Sequence, residues 1–303
     1  MSEQEPLPEF LTTKEVAELL RLKERKVYEL ASTQEIPCLK ATGKLLFPKK
    51  ELMHWLQTGE LVQPSFLPHS PSNMGEIRPA VLAGSSDPLL EWAIRESGCG
   101  LAMHLDGSLK GLELFELQQA SLTGLHVPNA NDGHWNVGTV APRFAGKNVV
   151  LVRWAWRQQG LVVAAGNPLQ IASLTDLRGK RLAVRQSGAG GMILLGQLLR
   201  RAGMHLDELS VTESCRTDHE SIAAVASGNA DAAPGLEALT RLYGLGFVPT
   251  QMEAFDLLVC RKAWFDSPIQ TLMRFAGSET FKAKARQMAG YDTGSLGQVI
   301  WSA

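Results

Sequence analysis

Four short turns of the sequence are rich in small residues, and three of them hold serine and glycine directly before a predicted helix. The turns are residues 84–87, 106–108, 185–190 and 233–235. Hydroxyl groups and the free backbone N–H groups of several helix N-termini can together coordinate an oxyanion without a full countercharge. The residues that these turns offer to such an anion are Ser85, Ser86, Asp87, Ser108, Arg185, Gln186, Ser187, Gly188, Ala189, Pro234 and Gly235.

Each of these residues also has an ordinary structural explanation. Ser85 and Ser108 are common types of helix N-cap, and Arg185 alone is typical of a charged strand edge. The placement of the turns after successive strands is what favours a binding site. Arg185 would then add a forked, charge-assisted contact to the anion.

Strands that alternate with helices must position these turns. From Pro79 onward, apolar segments such as "KNVVLVRWAWRQQGLVVAAG" and "FDLLVC" are rich in β-branched and aromatic residues, and helical segments separate them. This alternation predicts an α/β fold with a doubly wound sheet. Ligands bind such sheets beyond the carboxyl ends of the strands, where the turns converge.

The glycine turn "SGAGGMILLG" matches neither common nucleotide-binding motif. A P-loop needs lysine and then serine or threonine after its last glycine, but Gly190 is followed by Gly191 and Met192. The dinucleotide fingerprint is matched only loosely and late in the chain, although Asp207 and Glu208 follow the turn. No nucleotide cofactor is therefore expected.

The first sixty residues predict a separate module. Thr13 is expected to cap a helix that runs from about Lys14 to Leu20, and a second helix follows with Val27 and Leu30 facing inward. The segment "IPCLKATGKLLFP" predicts a β-hairpin. A closing helix, "KKELMHWL", is expected to add three side chains to the core, Leu52, Trp55 and Leu56.

Basic residues of this module cluster on the second helix and the hairpin. Nine Lys and Arg residues stand against five Glu residues between positions 10 and 50. Contacts to nucleic-acid phosphates need such clustering more than a high total charge. Charge alone leaves open a cap of three helices with a solvated basic face.

The whole pattern resembles the excisionase and MerR-like winged helix-turn-helix domains. The resemblance rests on a threonine-capped "EVAELL" helix, a second helix with "VY", then "IP…GK…F" and "EL..WL", in that order. It implies that the second helix enters the major groove of DNA and that the hairpin wing touches the backbone or the minor groove. The DNA-binding residues that it indicates are Lys23, Arg25, Lys26, Tyr28, Lys40 and Lys44.

Residues 79–295 resemble the cytoplasmic domains related to periplasmic molybdate-binding proteins. The similarity rests on "HVPNANDGHWNV", "SLTDLRGKRLAVRQSGAGG" and "TDHESIAAVASGNADAAPGLEAL". It implies a two-lobed, type II periplasmic-binding-protein-like fold with the ligand in the cleft and two crossing strands as the hinge. "RQQGLVVAAGNP" would form the first crossing and the segment near "MEAFDLLV" the second. Closure of the lobes on the ligand would be the switch.

The block "TDHE" adds two candidate ligand contacts, since it resembles a threonine-histidine pair of this family. His219 would contact the ligand from the second lobe, whereas Thr217 is equally well explained as a helix cap. Weaker candidates in the first lobe are His126, Trp135 and Asn136.

One departure from the family pattern bears on the ligand. Where the family usually has serine and a threonine-arginine pair in the glycine turn, this sequence has Ala189, Gly191 and Met192. A hydroxyl and a cation are thereby lost from the expected anion site. The change makes room for a larger or less charged ligand, such as an organic acid or a sulfur compound.

Composition limits the remaining classes of protein. The 303 residues are 45% hydrophobic with a net charge of -1, no apolar run is long enough for a membrane helix, and the N-terminus lacks a secretory pattern. A cytoplasmic location is therefore expected. The four cysteines lack metal-ligand spacing, so neither a metal site nor a cofactor is expected. Catalysis is not expected, because no nucleophile elbow is present and Asp256 has no obvious partner.

The predicted architecture is α/β, with a winged helix-turn-helix over residues 1–57, a linker over 58–78 and the two-lobed domain over 79–303. Lobe boundaries are expected near residues 160 and 250, so that the first lobe covers 79–160 and 251–303 and the second covers 161–250.

The function hypothesis is a one-component transcription regulator. It would bind operator DNA as a homodimer or higher homo-oligomer and sense a small anionic ligand, either a molybdate-like or tungstate-like oxyanion or an organic or sulfur-containing acid. Two alternatives remain. One is a cytoplasmic molybdate carrier for cofactor assembly without DNA binding, and the other is an enzyme built on the same fold.

Overall fold

A computed structural model describes residues 10–32, 36–41, 44–58, 78–129, 135–212 and 214–303. The chain divides into two compact units, residues 1–74 and residues 75–303. Among the described residues, no helix is both long enough and apolar enough to cross a lipid bilayer.

The described part of the first unit contains three helices and a three-stranded antiparallel sheet with the strand order β1-β3-β2. Strand β1 was not predicted, because three residues are too few to show an alternating pattern. The described elements of this unit are β1 Phe10–Thr12, α1 Thr13–Leu20, α2 Glu24–Ser32, β2 Leu39–Ala41, β3 Lys44–Pro48 and α3 Lys49–Thr58.

The predicted cap of α1 is wrong by one residue. Thr12, not Thr13, caps the helix: its hydroxyl accepts a hydrogen bond from the Glu15 backbone N–H at 3.4 Å, and its own N–H donates to Glu15 Oε2 at 2.7 Å. This reciprocal capping box requires a carboxylate three residues after the cap. Glu15 stands at that spacing from Thr12 and not from Thr13.

A small apolar core holds the first unit together. Val16, Val27, Phe47 and Leu52 are fully buried, and Trp55 packs against them. Leu56 does not join this core as predicted, because 45% of it is exposed.

The second unit is built around one mixed sheet flanked by helices, which confirms the predicted α/β class. Its strands are β4 Val81–Gly84, β5 Ala102–Leu105, β6 Leu122–Leu125, β7 Val149–Val163, β8 Arg181–Leu182, β9 Ser210–Val211, β10 Ala232–Leu236, β11 Gly246–Cys260, β12 Tyr291–Asp292 and β13 Val299–Ser302. Its α-helices are α4 Pro88–Ser97, α5 Ser108–Glu116, α6 Val137–Phe144, α7 Gly190–Arg201, α8 Asp218–Ala226, α9 Glu237–Tyr243, α10 Ser267–Ala276 and α11 Glu279–Gln287.

Two long antiparallel strands divide this unit into two lobes. The strand order is β5-β4-β6-β11-β7-β10-β8-β9, with β12 and β13 also paired to β7. Strands β7 and β11 pair from Val149 and Cys260 at one end to Val163 and Gly246 at the other. Lobe 1 is therefore built on β4, β5 and β6, lobe 2 on β8, β9 and β10, and β7 and β11 connect the lobes as hinge strands.

The turn predicted at residues 233–235 is wrong. Pro234 and Gly235 lie inside β10, opposite Leu161 and Gly160 of β7. Strand β8 pairs with β10 only at Ala232, so β10 is an edge strand at its proline, where proline is tolerated. These two residues consequently belong to the sheet and not to a helix N-terminus.

The strand predicted before the glycine turn is shorter than the apolar run suggests. It spans only Arg181–Leu182, and Arg185 forms an isolated bridge with Cys215. From Ala183 to the start of α7, the backbone is therefore not part of a regular β-strand.

Candidate functional site

Two serine hydroxyls from separate turns meet in lobe 1. Ser85 Oγ and Ser108 Oγ lie 2.7 Å apart, and both residues are buried. Ser108 Oγ also accepts a hydrogen bond from the His126 backbone N–H at 3.2 Å. The end of β4, the start of α5 and the end of β6 thus converge on one polar cluster, as the carboxyl ends of neighbouring parallel strands do.

Two helix N-termini from opposite lobes come together beside this cluster. Helix α5 follows Gly107 and helix α7 follows Ala189, and neither helix is capped by a described side chain. A Cβ placed on Gly107 would lie 3.4 Å from the Gly188 carbonyl oxygen and 3.5 Å from Ala189 Cα. The first N–H groups of an uncapped helix have no partner within the helix, so both ends are suited to an anion.

Asp87, which the sequence offered as a ligand contact, is committed to the protein. It caps α4 by accepting from the Leu90 N–H at 2.7 Å, and the same oxygen accepts from Trp154 Nε1 at 3.1 Å. Its other oxygen accepts from Arg157 Nη1 at 2.9 Å and from the Tyr291 hydroxyl at 2.6 Å. With four donors and no exposed surface, this carboxylate is not free to bind a ligand.

A buried charged network lies on the hinge strands and was missed by the sequence analysis. Arg157 of β7 donates to both Asp87 and Glu253, and Glu253 also accepts from Gln159 Nε2 at 3.0 Å and contacts His126 Nδ1 at 2.8 Å. Burial by itself would raise the pKa of Glu253, but Arg157 and His126 outweigh that effect and hold this pKa at about 2. A charged residue within an otherwise apolar strand was the signal that could have revealed this network.

Asp256 has partners, contrary to the sequence analysis. Its carboxylate accepts from Arg153 Nε at 2.5 Å and from Asn136 Nδ2 at 2.8 Å. Burial raises the pKa of Asp256, and the opposing effects of Arg153 and Asn136 do not fully offset it. The hydrogen bond from Asn136 to Asp256 fixes the loop before α6 to the hinge strand β11.

The cation expected to hold the anion is already paired. Arg185 Nη1 lies 2.8 Å from Asp218 Oδ1, and Nη2 donates to the Arg216 carbonyl at 2.7 Å. Ser86 Oγ in lobe 1 donates to the other oxygen of Asp218 at 3.2 Å. Asp218 therefore neutralises Arg185 and joins the two lobes, a role that its position in "TDHE" did not reveal.

The other residues predicted in lobe 2 occupy different surroundings. Ser187 is exposed, while Gln186 is half-buried and its Oε1 has no hydrogen-bond partner among the described residues. Thr217 caps α8 by accepting from the Glu220 N–H at 3.1 Å. His219 is exposed, and its Nδ1 lies 3.0 Å from the Tyr243 hydroxyl of α9.

Apolar contacts also close the cleft. Trp135, just before α6 in lobe 1, is buried against Leu194 of α7 and Ala254 of β11. Gln197 of α7 donates to the Pro128 carbonyl at 3.2 Å. The two lobes are therefore in direct contact along α7.

The helix-turn-helix face carries exposed basic and aromatic side chains. Lys23, Arg25, Lys26 and Tyr28 are all exposed on or just before α2, whereas Val27 is buried. Lys26 also forms a 2.8 Å ion pair with Glu29. Two further predicted contacts, Lys40 and Lys44, lie on the wing strands β2 and β3, and their side chains are outside the described part of the chain.

Comparisons with known proteins give one relative that covers most of the chain and one that covers about a third of it. The uncharacterized protein YvgK of Bacillus subtilis (strain 168) is 27% identical over 95% of this chain and 97% of its own length. An uncharacterized protein from the 5' region of a 2Fe-2S ferredoxin gene of Clostridium pasteurianum is 29% identical over 36% of this chain and 97% of its own length.

Among solved structures, the effector-binding domain of QuiR in complex with shikimate is 10% identical over 65% of this chain and 93% of its own, with a TM-score of 0.48. The regulatory domain of MetR, a LysR family regulator from N. meningitidis, is 11% identical over 70% of this chain and 97% of its own, also with a TM-score of 0.48.

Family models confirm the predicted helix-turn-helix domain and the predicted periplasmic-binding-protein-like domain. Residues 10–60 match a helix-turn-helix domain. Residues 91–277 match the PBP superfamily domain, which is more than half of the chain. The protein therefore belongs to the PBP superfamily and carries, ahead of its two-lobed domain, a segment that matches a helix-turn-helix domain.

Proposed function

We propose that this protein is a ligand-responsive transcription regulator that binds operator DNA through its helix-turn-helix domain and senses a small anion between the two lobes. The observation that carries the proposal is the presence of both domains in one chain. The proposal includes no catalytic step, and it places the protein in the cytoplasm, where operator DNA is accessible.

The chemistry of the cleft supports an anionic ligand. The uncapped starts of α5 and α7 supply N–H groups, and the Ser85 and Ser108 hydroxyls lie beside them. Molybdate and tungstate are candidates through the family resemblance. A small organic or sulfur-containing acid is the other candidate, because Gly191 has open space where a Cβ would stand.

Closure of the lobes would couple the two domains. A ligand shifts a conformational equilibrium only through its higher affinity for one state, so the anion must bind the closed cleft more tightly than the open one. A single helix-turn-helix domain contacts few base pairs, so the proposed regulator reads two half-sites as a homodimer or a higher homo-oligomer.

DNA binding is expected to depend on salt and on Arg25. Binding of the full chain to duplexes selected from a random library, measured by fluorescence anisotropy, should weaken as the salt concentration rises. At a given salt concentration, Arg25→Ala should bind DNA more weakly than the wild type. The dependence of its binding constant on salt should also fall by about one phosphate contact, because the exposed Arg25 guanidinium lies on α2.

Arg178→Ala is the matched control for Arg25→Ala, since it removes an exposed arginine from lobe 2. This variant should bind DNA like the wild type. If the wild-type chain binds no duplex from the library, the carrier hypothesis, in which the first domain binds no DNA, is favoured instead.

Ligand binding is expected to stabilise the protein through Ser85. A thermal-shift screen should include molybdate, tungstate, sulfate, phosphate and small organic and sulfonic acids. One of them at a hundred times its Kd should stabilise the fold by about 2.7 kcal/mol. Ser85→Ala should lose this shift, because its hydroxyl lies in the polar cluster at the cleft.

Ser227→Ala, at the exposed end of α8, is the matched control and should keep the ligand-induced shift. A panel without any response, or a response retained in full by Ser85→Ala, would contradict the proposed anion site.

A further inference from the structure

A recess lies between α7 and the hinge strands. One of its walls is a face of α7, and the facing wall consists of parts of β7, β10 and β11. From the surrounding atoms to its open mouth, the recess measures about 240 Å³. Since liquid water occupies about 30 Å³ per molecule, the recess has room for a group of a few atoms.

The walls of this recess are apolar. Three leucines and a glycine form the wall on α7, and none of the described residues around the recess is charged. The facing wall has two polar side chains, and both are already bonded to the protein. Gln159 Nε2 donates to Glu253 Oε1 at 3.0 Å, and Thr250 Oγ1 donates to the Gln159 carbonyl at 3.0 Å. Because a charged group placed there would lose its water without gaining a partner, the recess accepts an apolar group.

The recess begins beside the uncapped start of α7. Gly191, which lines the recess, directly follows Gly190, the first residue of this helix. Apart from its own stretch of chain, no described atom lies within 4 Å of a Cβ placed on Gly191. No side chain therefore separates the first N–H groups of α7 from the recess. One small ligand can reach both.

Leu194 connects the recess to the contact between the lobes. This side chain lines the recess and belongs to the same apolar cluster as Trp135 of lobe 1. The facing wall includes both strands that join the lobes. The contacts of a group in the recess consequently depend on how the lobes are arranged. A ligand acts on a conformational equilibrium only through such a difference in affinity.

We propose that the ligand is a small organic acid whose carboxylate binds at the starts of α5 and α7 and whose short apolar chain fills this recess. This inference rests on the proposed sensing function and selects, among its candidate ligands, the organic acid over the inorganic oxyanions. A tetrahedral oxyanion has no apolar part and would leave the recess unfilled. Arg185 is already paired with Asp218, and burial of two negative charges without a countercharge costs more than burial of one.

Affinity along a series of straight-chain acids tests the proposal. The full-length wild type would be titrated by calorimetry with acetate, propionate and butyrate, and with molybdate and sulfate for comparison. The Kd should fall about fourfold for each added methylene, the ratio expected for burial of one CH₂ group. Equal affinity along the series, or tighter binding of molybdate than of butyrate, would overturn the proposal and leave the sensing function standing. If none of these compounds and no member of the thermal-shift panel binds, the sensing function itself is refuted.

Gly191→Leu and its matched control, Gly196→Leu, test where the chain of the acid lies. A leucine at position 191 should obstruct the recess, so that butyrate loses its advantage over acetate. Gly196 is on the same helix but does not line the recess, so Gly196→Leu should keep the fourfold steps. Fourfold steps that persist in Gly191→Leu would show that the chain binds elsewhere and would refute the proposal.

A measurement on the wild type decides the question even where Gly191→Leu does not fold. In isotope-filtered NMR of the full-length protein, the methyl group of bound butyrate should show nuclear Overhauser contacts to the methyl groups of Leu195, which lines the recess. These signals would be assigned by their loss in Leu195→Met. Bound butyrate without such contacts would place its chain outside the recess and overturn the proposal.

Discussion

Replacement of Arg157 with methionine is expected to lower the free energy of unfolding by about 3 to 5 kcal/mol at neutral pH, because two buried carboxylates lose their shared cation. Arg157 donates to Asp87 and to Glu253, and its guanidinium lies 4.3 Å from the centre of the Phe255 ring. Methionine retains most of the aliphatic volume of arginine, so the loss reports mainly on charge and not on a cavity.

Arg181→Met is the matched control for this substitution. Arg181 also forms an arginine-carboxylate pair, with Asp231 at 2.7 Å, but its side chain is 50% exposed. Exposed pairs contribute about 0 to 1 kcal/mol, so this variant should unfold almost like the wild type in urea. Arg157→Lys should recover part of the loss, since it keeps the charge but not the fork that reaches both carboxylates. Equal effects of the two methionine variants would contradict the role assigned to the network.

The free energy of unfolding of the wild type should depend on pH because of the same network. The pKa of Glu253 is about 2 in the folded protein, against an ordinary value of 4.5. A carboxyl group with a lowered folded-state pKa contributes stability above its unfolded pKa and loses it as the pH falls towards the folded value. The difference between wild type and Arg157→Met in urea unfolding should therefore be larger at pH 7 than at pH 3. A difference that stays constant over this range would show that Arg157 does not lower the pKa of Glu253 in the folded protein.

The local patterns of the sequence were sufficient for the fold class. Apolar runs as long as β7 and β11 stand out from the amphipathic segments around them, and turns with glycine and serine mark the starts of α5 and α7. The start of α1 could also have been predicted from the sequence, because the spacing from Thr12 to Glu15 specifies a capping box. Each of these signals depends on residues close together in the chain.

The charged part of the site could not be predicted in the same way. Arg157 meets Glu253 across 96 positions of sequence, through the register of β7 against β11. A shift of this register by one residue would turn the side chains to the other face of the sheet. Local periodicity does not specify which cation lies beside which carboxylate, and the pairing of Arg185 with Asp218 was missed for the same reason.

Gly111→Ala is expected to lower the free energy of unfolding by about 3 kcal/mol, because a methyl group would overlap the backbone of β4. A Cβ on Gly111 of α5 would lie 2.2 Å from Gly84 Cα and 2.4 Å from Thr123 Oγ1. Backbone atoms of a central strand cannot rotate away as a flexible side chain can, so α5 and β4 must move apart. Thermal and urea unfolding of the purified variant would measure the loss.

The same displacement should abolish the ligand response, because β4 leads into Ser85 and α5 begins at Ser108. Their hydroxyls lie 2.7 Å apart only while the helix rests on the strand.

Gly196→Ala is the matched control. Gly196 is also a glycine inside a helix, and the nearest atom to a Cβ placed on it would be Arg200 Nη1 at 3.8 Å. This variant should gain about 0.5 to 1 kcal/mol from the lower entropy of the unfolded chain and keep its ligand-induced shift. A loss of stability in Gly111→Ala together with a gain in Gly196→Ala would show that the close approach of α5 to β4 at Gly111, and not helix propensity, positions the serine cluster. A stable Gly111→Ala variant with an intact ligand response would contradict that conclusion.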